Sequence, residues 1–364
     1  MILSRKHFII NNMEHIQDIN LVTNAAKVLI MTAIAFVTAI LLTPVLTHFL
    51  YKYKMGKSIR TSGAPVYTKM HKGKEGTPTM GGILVWLTVL ILALLFLILS
   101  TFFNNYFGWM NFLSRSETWL PLFALVVTAL IGLVDDIMNV FKIGPNGGGL
   151  RMRSRLLVYT IIATVGAWWF YFKLGWDSIH IPGVGDFTIG WWYFPLFILV
   201  IVATSFSVNE SDGLDGLAGG ILLTCFSAFA VIAFMQGQVD LATFCGAIVG
   251  ALLAFLWFNI YPARFFMGDT GAMALGTTLG IVAMLTNSVF VLPIIGLPLV
   301  MESASVLIQV FSKKVLKRKV FISTPIHHHF EALGWPETKV TMRFWIIAII
   351  SAGLGLIIGL IGRG

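Results

Sequence analysis

Charge is scarce in this chain. Only 11% of its 364 residues are Asp, Glu, Lys or Arg, whereas 57% are hydrophobic. No soluble core absorbs that much apolar sequence, so a soluble globular enzyme is excluded and a polytopic membrane protein is indicated. No polar stretch is long enough to fold alone, which makes residues 1–364 a single integral-membrane domain. The two cysteines, Cys225 and Cys245, both lie inside apolar runs, which argues against a disulfide framework. Neither a P-loop nor a dinucleotide fingerprint is present, and Gly147–Gly149 read as a flexible linker. No internal repeat points to a transporter with inverted symmetry. Met1–Asn20 lack a short apolar core with a small-residue cleavage site, so they are read as an external N-terminal extension and not as a cleaved signal. The net charge of +9 is read as membrane topology and as a site for an anionic substrate. No nucleic-acid partner is expected.

What is abundant is apolar sequence of spanning length. A hydrocarbon core takes about 20 residues of helix. About ten segments meet that rule, near Ala25–Leu50, Met80–Phe103, Trp119–Val140, Leu156–Leu174, Trp191–Val208, Leu214–Met235, Leu241–Tyr261, Gly271–Leu285, Val289–Phe311 and Phe344–Ile361. The fold class is therefore all-α. One exception is expected at Asp177–Gly190, whose alternation around a Gly turn suits a short external β-hairpin. Lys and Arg collect after the first segment (Lys52, Lys54, Lys57, Arg60, Lys69, Lys72, Lys74), the third (Lys142, Arg151, Arg153, Arg155) and the ninth (Lys313, Lys314, Lys317, Arg318, Lys319). These loops are expected to be cytoplasmic, and both termini external. Arg5, Lys6 and Arg363 oppose that orientation weakly.

The few acids are not scattered. Asp135, Asp136, Asp212, Asp215 and Asp269, with the run His327, His328 and His329, fall at segment ends on the basic side. Ionisable groups beside hydrocarbon cost a few kcal/mol or more each, so this clustering indicates one shared polar site. Asp135 and Asp136 are helix neighbours pointing about 100° apart, so they cannot face one ligand alike. Asp212 and Asp215 share a face if helical, and Asp212 is placed to cap the sixth helix. Pro262 is expected to end the seventh helix, leaving Asp269 between Gly268 and Gly271, a setting that suits hard Mg²⁺. Phe265 and Phe266 either stack a base or pack in the membrane. Three consecutive histidines do not converge easily on one zinc; contact with phosphate or a neighbouring carboxylate suits them better. Acids, a metal site and cations at headgroup depth are what phosphoryl transfer between a soluble polyanionic donor and a lipid phosphate requires.

These motifs carry a resemblance. Gly76-Thr-Pro-Thr-Met-Gly-Gly82, Asp135-Asp136, Asn209–Gly220, Asn259–Gly271 and Pro325-Ile-His-His-His-Phe-Glu331 resemble, in order, the bacterial phospho-N-acetylmuramoyl-pentapeptide transferase family. The resemblance implies ten transmembrane helices, a homodimer in the bacterial inner membrane and an active site facing the cytoplasm. The implied reaction moves phospho-MurNAc-pentapeptide from UDP-MurNAc-pentapeptide to undecaprenyl phosphate with Mg²⁺, giving lipid I and UMP for peptidoglycan synthesis. By the same resemblance Asp269 is the metal ligand, and Asp135 and Asp136 organise metal or pyrophosphate and deprotonate the lipid phosphate. Asp212 is catalytic, and His327, His328 and His329 engage the donor. Lys74, Gly213, Leu214, Asp215, Asn259 and Phe266 form the uridine pocket, with Phe266 stacking on uracil. Thr79, Asn209, Arg155 and Gln309 complete the substrate-binding set.

The chain departs from the family pattern at three places. Asn139 and Arg155 stand where Lys is usual, and Glu210-Ser211 replace Leu-Thr. Asn139 is shared with sibling enzymes that transfer GlcNAc-1-phosphate to a polyprenyl phosphate, which form the alternative reading. A transporter using the acids for ion coupling is a third, but it calls for acids at the bilayer midplane.

Overall fold

The computed structural model describes residues 2–56, 74, 76–103, 107–113, 116–144 and 148–362, with side chains from residue 19 onward except at 116–117. Lys57, Arg60, Lys69 and Lys72 of the first basic loop, Pro145–Gly147 and Arg363 lie outside the described residues.

Twelve α-helices are seen among the described residues. They are α1 (Ile2–Lys52), α2 (Ile83–Phe102), α3 (Ser116–Val140), α4 (Met152–Trp168), α5 (Tyr193–Ser211), α6 (Leu217–Met235), α7 (Val239–Asn259), α8 (Gly268–Leu285), α9 (Leu292–Ile295), α10 (Leu297–Phe311), α11 (Ile326–Ala332) and α12 (Glu337–Ile361). Among the described residues nine helical spans are long and apolar enough to cross a membrane. The ninth apolar segment is not one of them. Gly296 divides it into α9 and α10, with Pro293 and Pro298 near the two helix starts, where a missing N–H costs least. The extension Met1–Asn20 is not a separate element: α1 begins at Ile2 and runs unbroken into the first span.

The expected hairpin is present. β1 (Ser178–Ile181) pairs antiparallel with β2 (Gly185–Thr188), placing His180 opposite Asp186.

α8 is the axis of the bundle, packed on α3 and α5. All its residues are buried except Asp269, which is partly exposed at its first turn. A helix rich in Gly, Ala and Thr lets neighbouring backbones approach closely, the usual basis of packing where water supplies little drive between helices. The bundle therefore fixes one end of α8 rigidly, and that end carries the site.

Candidate active site

Two carboxylates hold the start of α8. Gly268 N–H donates to Asp212 Oδ2 at 3.1 Å, and Thr270 N–H donates to Asp136 Oδ2 at 2.9 Å. Both anions satisfy first-turn donors and lie at the positive end of the helix dipole. Gly268 has φ +74°, a left-handed conformation that glycine adopts without strain. Asp212 thus caps α8 and not α6, which starts after Gly216. It sits with Asp215 in the turn between α5 and α6, where the two carboxylates diverge. Thr79 donates to Asp136 Oδ1 at 3.2 Å. The Gly-Thr-Pro-Thr-Met-Gly-Gly motif is tied to the same region: Phe266 N–H donates to Pro78 C=O, Gly81 N–H to Phe266 C=O and Gly82 N–H to Met267 C=O.

Asp135 and Asp136 face different partners, as their angular offset requires. Asp135 accepts from Leu150 N–H at 2.6 Å and meets Arg155 Nε at 2.7 Å, the latter an ionic contact lying off the N–H axis. Arg155 is the centre of the cluster. Its Nη2 reaches Asp269 Oδ2 at 2.7 Å, and its Nη1 donates to Asn209 Oδ1 at 3.0 Å. Asn209 Nδ2 donates in turn to Asp269 Oδ1 at 2.6 Å. One guanidinium therefore joins α3, α4, α5 and α8 through charge-assisted contacts, the geometry for which Arg surpasses Lys.

A second group lies around Lys74. Its Nζ meets Asp215 Oδ1 at 2.6 Å and also Glu337, and it stands 5.7 Å from the Phe266 ring centre. Asp215 further accepts from Ala263 N–H at 3.1 Å, and its own N–H donates to Glu337 Oε1 at 2.7 Å. Asn259 holds the pocket wall by accepting from Gly216 N–H and donating to Phe265 C=O. Phe265 is fully buried, whereas Phe266 keeps a partly exposed ring.

The histidines take different partners, although the His327 and His328 ring centres lie 4.0 Å apart. His327 Nδ1 lies 2.9 Å from Glu302 Oε2, and neither side chain has exposed surface. Its Nε2 is without a protein partner and abuts Gly213, where an added Cβ would sit 2.2 Å from it. Burial opposes the charged imidazole, but Glu302, with Glu331 and Glu210 beyond it, outweighs burial and raises His327 above the ordinary histidine value. His328 Nδ1 meets Glu331 at 2.6 Å, and His329 Nδ1 accepts from Ile322 N–H at 3.2 Å. Gln309 is engaged by backbone: it donates to Phe321 C=O and accepts from the N–H groups of Val320 and Phe321, bracing the segment before the histidines.

Asp135, Asp136, Asp212, Asp269, Asn209, Arg155 and Thr79 thus converge through direct contacts, with Lys74, Asp215 and Phe266 joined through the 259–268 turn. Leu214 is buried in the turn that carries Gly213. Glu302 and Glu337 are additions. Glu302 had a signal, a lone carboxylate within an apolar segment, which is a functional pointer by default. Among the described residues no group of three His, Cys, Asp or Glu forms a metal cage. A hard divalent ion does not need one when substrate phosphates supply ligands, and the oxygens of Asp269, Asp135 and Asn209, gathered around one point, are the hard donors it prefers.

Comparison with known proteins matches residues 118–287 to glycosyl transferase family 4, and residues 74–84 to the phospho-N-acetylmuramoyl-pentapeptide-transferase signature 1. The chain is 37% identical over 354 residues to the phospho-N-acetylmuramoyl-pentapeptide-transferase of Chloroflexus aggregans, covering 94% of this chain and 92% of the relative. It is 40% identical over 330 residues to that of a Geobacillus species, strain WCH70, covering 89% and 95%. The Geobacillus thermodenitrificans protein of the same name is 39% identical over 333 residues, covering 91% and 97%.

Proposed function

The chain belongs to the phospho-N-acetylmuramoyl-pentapeptide-transferase family, and from that premise we propose how its residues act. It is a multi-pass membrane enzyme that transfers phospho-MurNAc-pentapeptide from UDP-MurNAc-pentapeptide to undecaprenyl phosphate. An oxygen of the lipid phosphate attacks the sugar-bound phosphorus, the pyrophosphate bond breaks, and UMP leaves with the bridging oxygen. The family name and signature favour this donor over UDP-GlcNAc.

The observation that carries the assignment of roles is Arg155 bridging Asp135, Asp269 and Asn209. Asp269 and Asp135 would hold Mg²⁺, which would neutralise pyrophosphate charge. Arg155 keeps the two carboxylates aimed at one point and supplies a fixed positive charge. Asp136 and Asp212, committed to the first N–H groups of α8, position Asp269. Uracil stacks on the partly exposed Phe266, beside Lys74 and Asp215. His327 offers Nε2 toward the Gly213 turn, where the donor's phosphate or sugar approaches. The exposed bases at the ends of α1, α3 and α10 share the side of these acids, which supports an active site on the cytoplasmic face of the inner membrane. The family resemblance extends the proposal to a homodimer and a single domain.

The test is donor choice. The purified protein is given Mg²⁺, undecaprenyl phosphate and either UDP-MurNAc-pentapeptide or UDP-GlcNAc, and UMP release is followed. Turnover with the first donor alone is expected; turnover with UDP-GlcNAc alone would move the chain to the sibling activity.

A further inference from the structure

A groove of about 510 Å³ opens where α1 ends against the end of α7, and among the described residues no acid lines it. Thr47, His48, Tyr51, Lys52, Phe258 and Arg264 line it. The wall is built, not incidental: Tyr51 Oη donates to Arg264 C=O at 2.9 Å, and the Arg264 guanidinium stands 5.5 Å from the Phe258 ring centre. Lys52 occupies the last turn of α1, where a cation is favoured by the helix dipole.

Both stretches that form the groove are free of acids. From Ile19 to Lys74 the sequence holds no Asp or Glu, and from Leu241 to Gly268 it again holds none. Nearby lie exposed Tyr53, Trp257 and Tyr261, residue types that collect at the headgroup level of a bilayer. An apolar floor with cations at its rim, at that depth, complements an anionic headgroup with acyl chains below it.

We propose that this groove binds an anionic diacyl phospholipid, with its phosphate between Lys52 and Arg264 and His48 at the edge. The lining holds no catalytic acid, so the site serves bulk anionic lipid and not the reacting lipid phosphate.

The test is retention of lipid by the purified full-length protein, read by native mass spectrometry. Phosphatidylglycerol and phosphatidylcholine of matched chains are offered separately. Wild type is expected to retain phosphatidylglycerol preferentially. Lys52→Gln and Arg264→Gln each lower that affinity about five-fold, the scale of one cation at an anionic surface. The double variant loses the preference, while phosphatidylcholine binding stays unchanged. Lys313→Gln/Lys314→Gln, at another exposed basic stretch, keeps it. If the double variant fails to fold, the single variants are judged by the same criterion. Equal retention by variant and wild type, equal loss in the Lys313/Lys314 control, or one-for-one displacement of phosphatidylglycerol by undecaprenyl phosphate would each overturn the proposal.

Discussion

The guanidinium of Arg155 meets Asp135 through Nε and Asp269 through Nη2, both at 2.7 Å, and so ties the end of α3 to the start of α8. Removing the cation leaves two facing carboxylates without compensation. Loss of one partner of a buried ionic network typically costs about 3–5 kcal/mol. Arg155→Ala is therefore expected to lower both melting temperature and turnover, the latter at least about 100-fold. Arg155→Lys keeps charge but reaches fewer of the three partners, so it falls between. Steady-state kinetics with thermal melts checks the order wild type, Lys, Ala.

The pair His327–Glu302 gives a pH signature. The folded value of His327 lies above the ordinary one. Its contribution to stability is therefore complete below about pH 6.5 and is lost as pH rises through the raised folded value. Glu302→Gln removes the charge that raises it. The stability advantage of wild type over Glu302→Gln is expected to be largest near pH 6 and to shrink toward alkaline pH. Melting curves across that range check it, and a gap that widens with pH would refute the pairing.

Phe266 tests the nucleobase role. Stacking of a base on an aromatic ring contributes about 1–3 kcal/mol. Phe266→Ala is expected to raise KM for the donor by roughly five-fold or more with little change in kcat, while Phe266→Trp largely restores it. A fall confined to kcat would place the ring elsewhere in the reaction.

Asn139 lies one turn beyond Asp135 on α3, at a place where the family resemblance leads to an expectation of Lys. Asn139→Lys is expected to be tolerated or to lower KM for the donor, since Arg155 already supplies the central cation. Donor titration checks this; a strong loss would mean the site has been rebuilt around Asn.

Much of this architecture was legible in the sequence. Apolar run length located nine of the spans, and alternation around a Gly turn located the hairpin at Ser178–Thr188. The clustering of Asp135, Asp136 and Asp269 at segment ends anticipated the polar cluster that the structure gathers at the start of α8. The network's centre was less visible. The family resemblance alone places Arg155 in the substrate-binding set; its own residue pattern reads as one base among several in a basic loop, and only tertiary packing brings it to α8. Asp212 looks like a cap for the helix that follows it, yet the donor it meets, Gly268 N–H, is 56 positions away. The break at Gly296 is hidden by hydropathy, which averages over a bend. Glu302 and Glu337 escaped because their meaning depends on His327, Lys74 and the Asp215 backbone.

The most direct test is Mg²⁺-dependent formation of lipid I by Asp269→Asn, beside Asp135→Asn, Asp136→Asn and wild type in matched detergent. Each substitution is expected to lower turnover at least about 100-fold, Asp269→Asn and Asp135→Asn on the scale of metal and acid–base roles and Asp136→Asn through displacement of Asp269, with Asp269→Asn also losing its Mg²⁺ dependence. Near-wild-type, Mg²⁺-dependent turnover in Asp269→Asn would contradict the placement of the reaction at the end of α8.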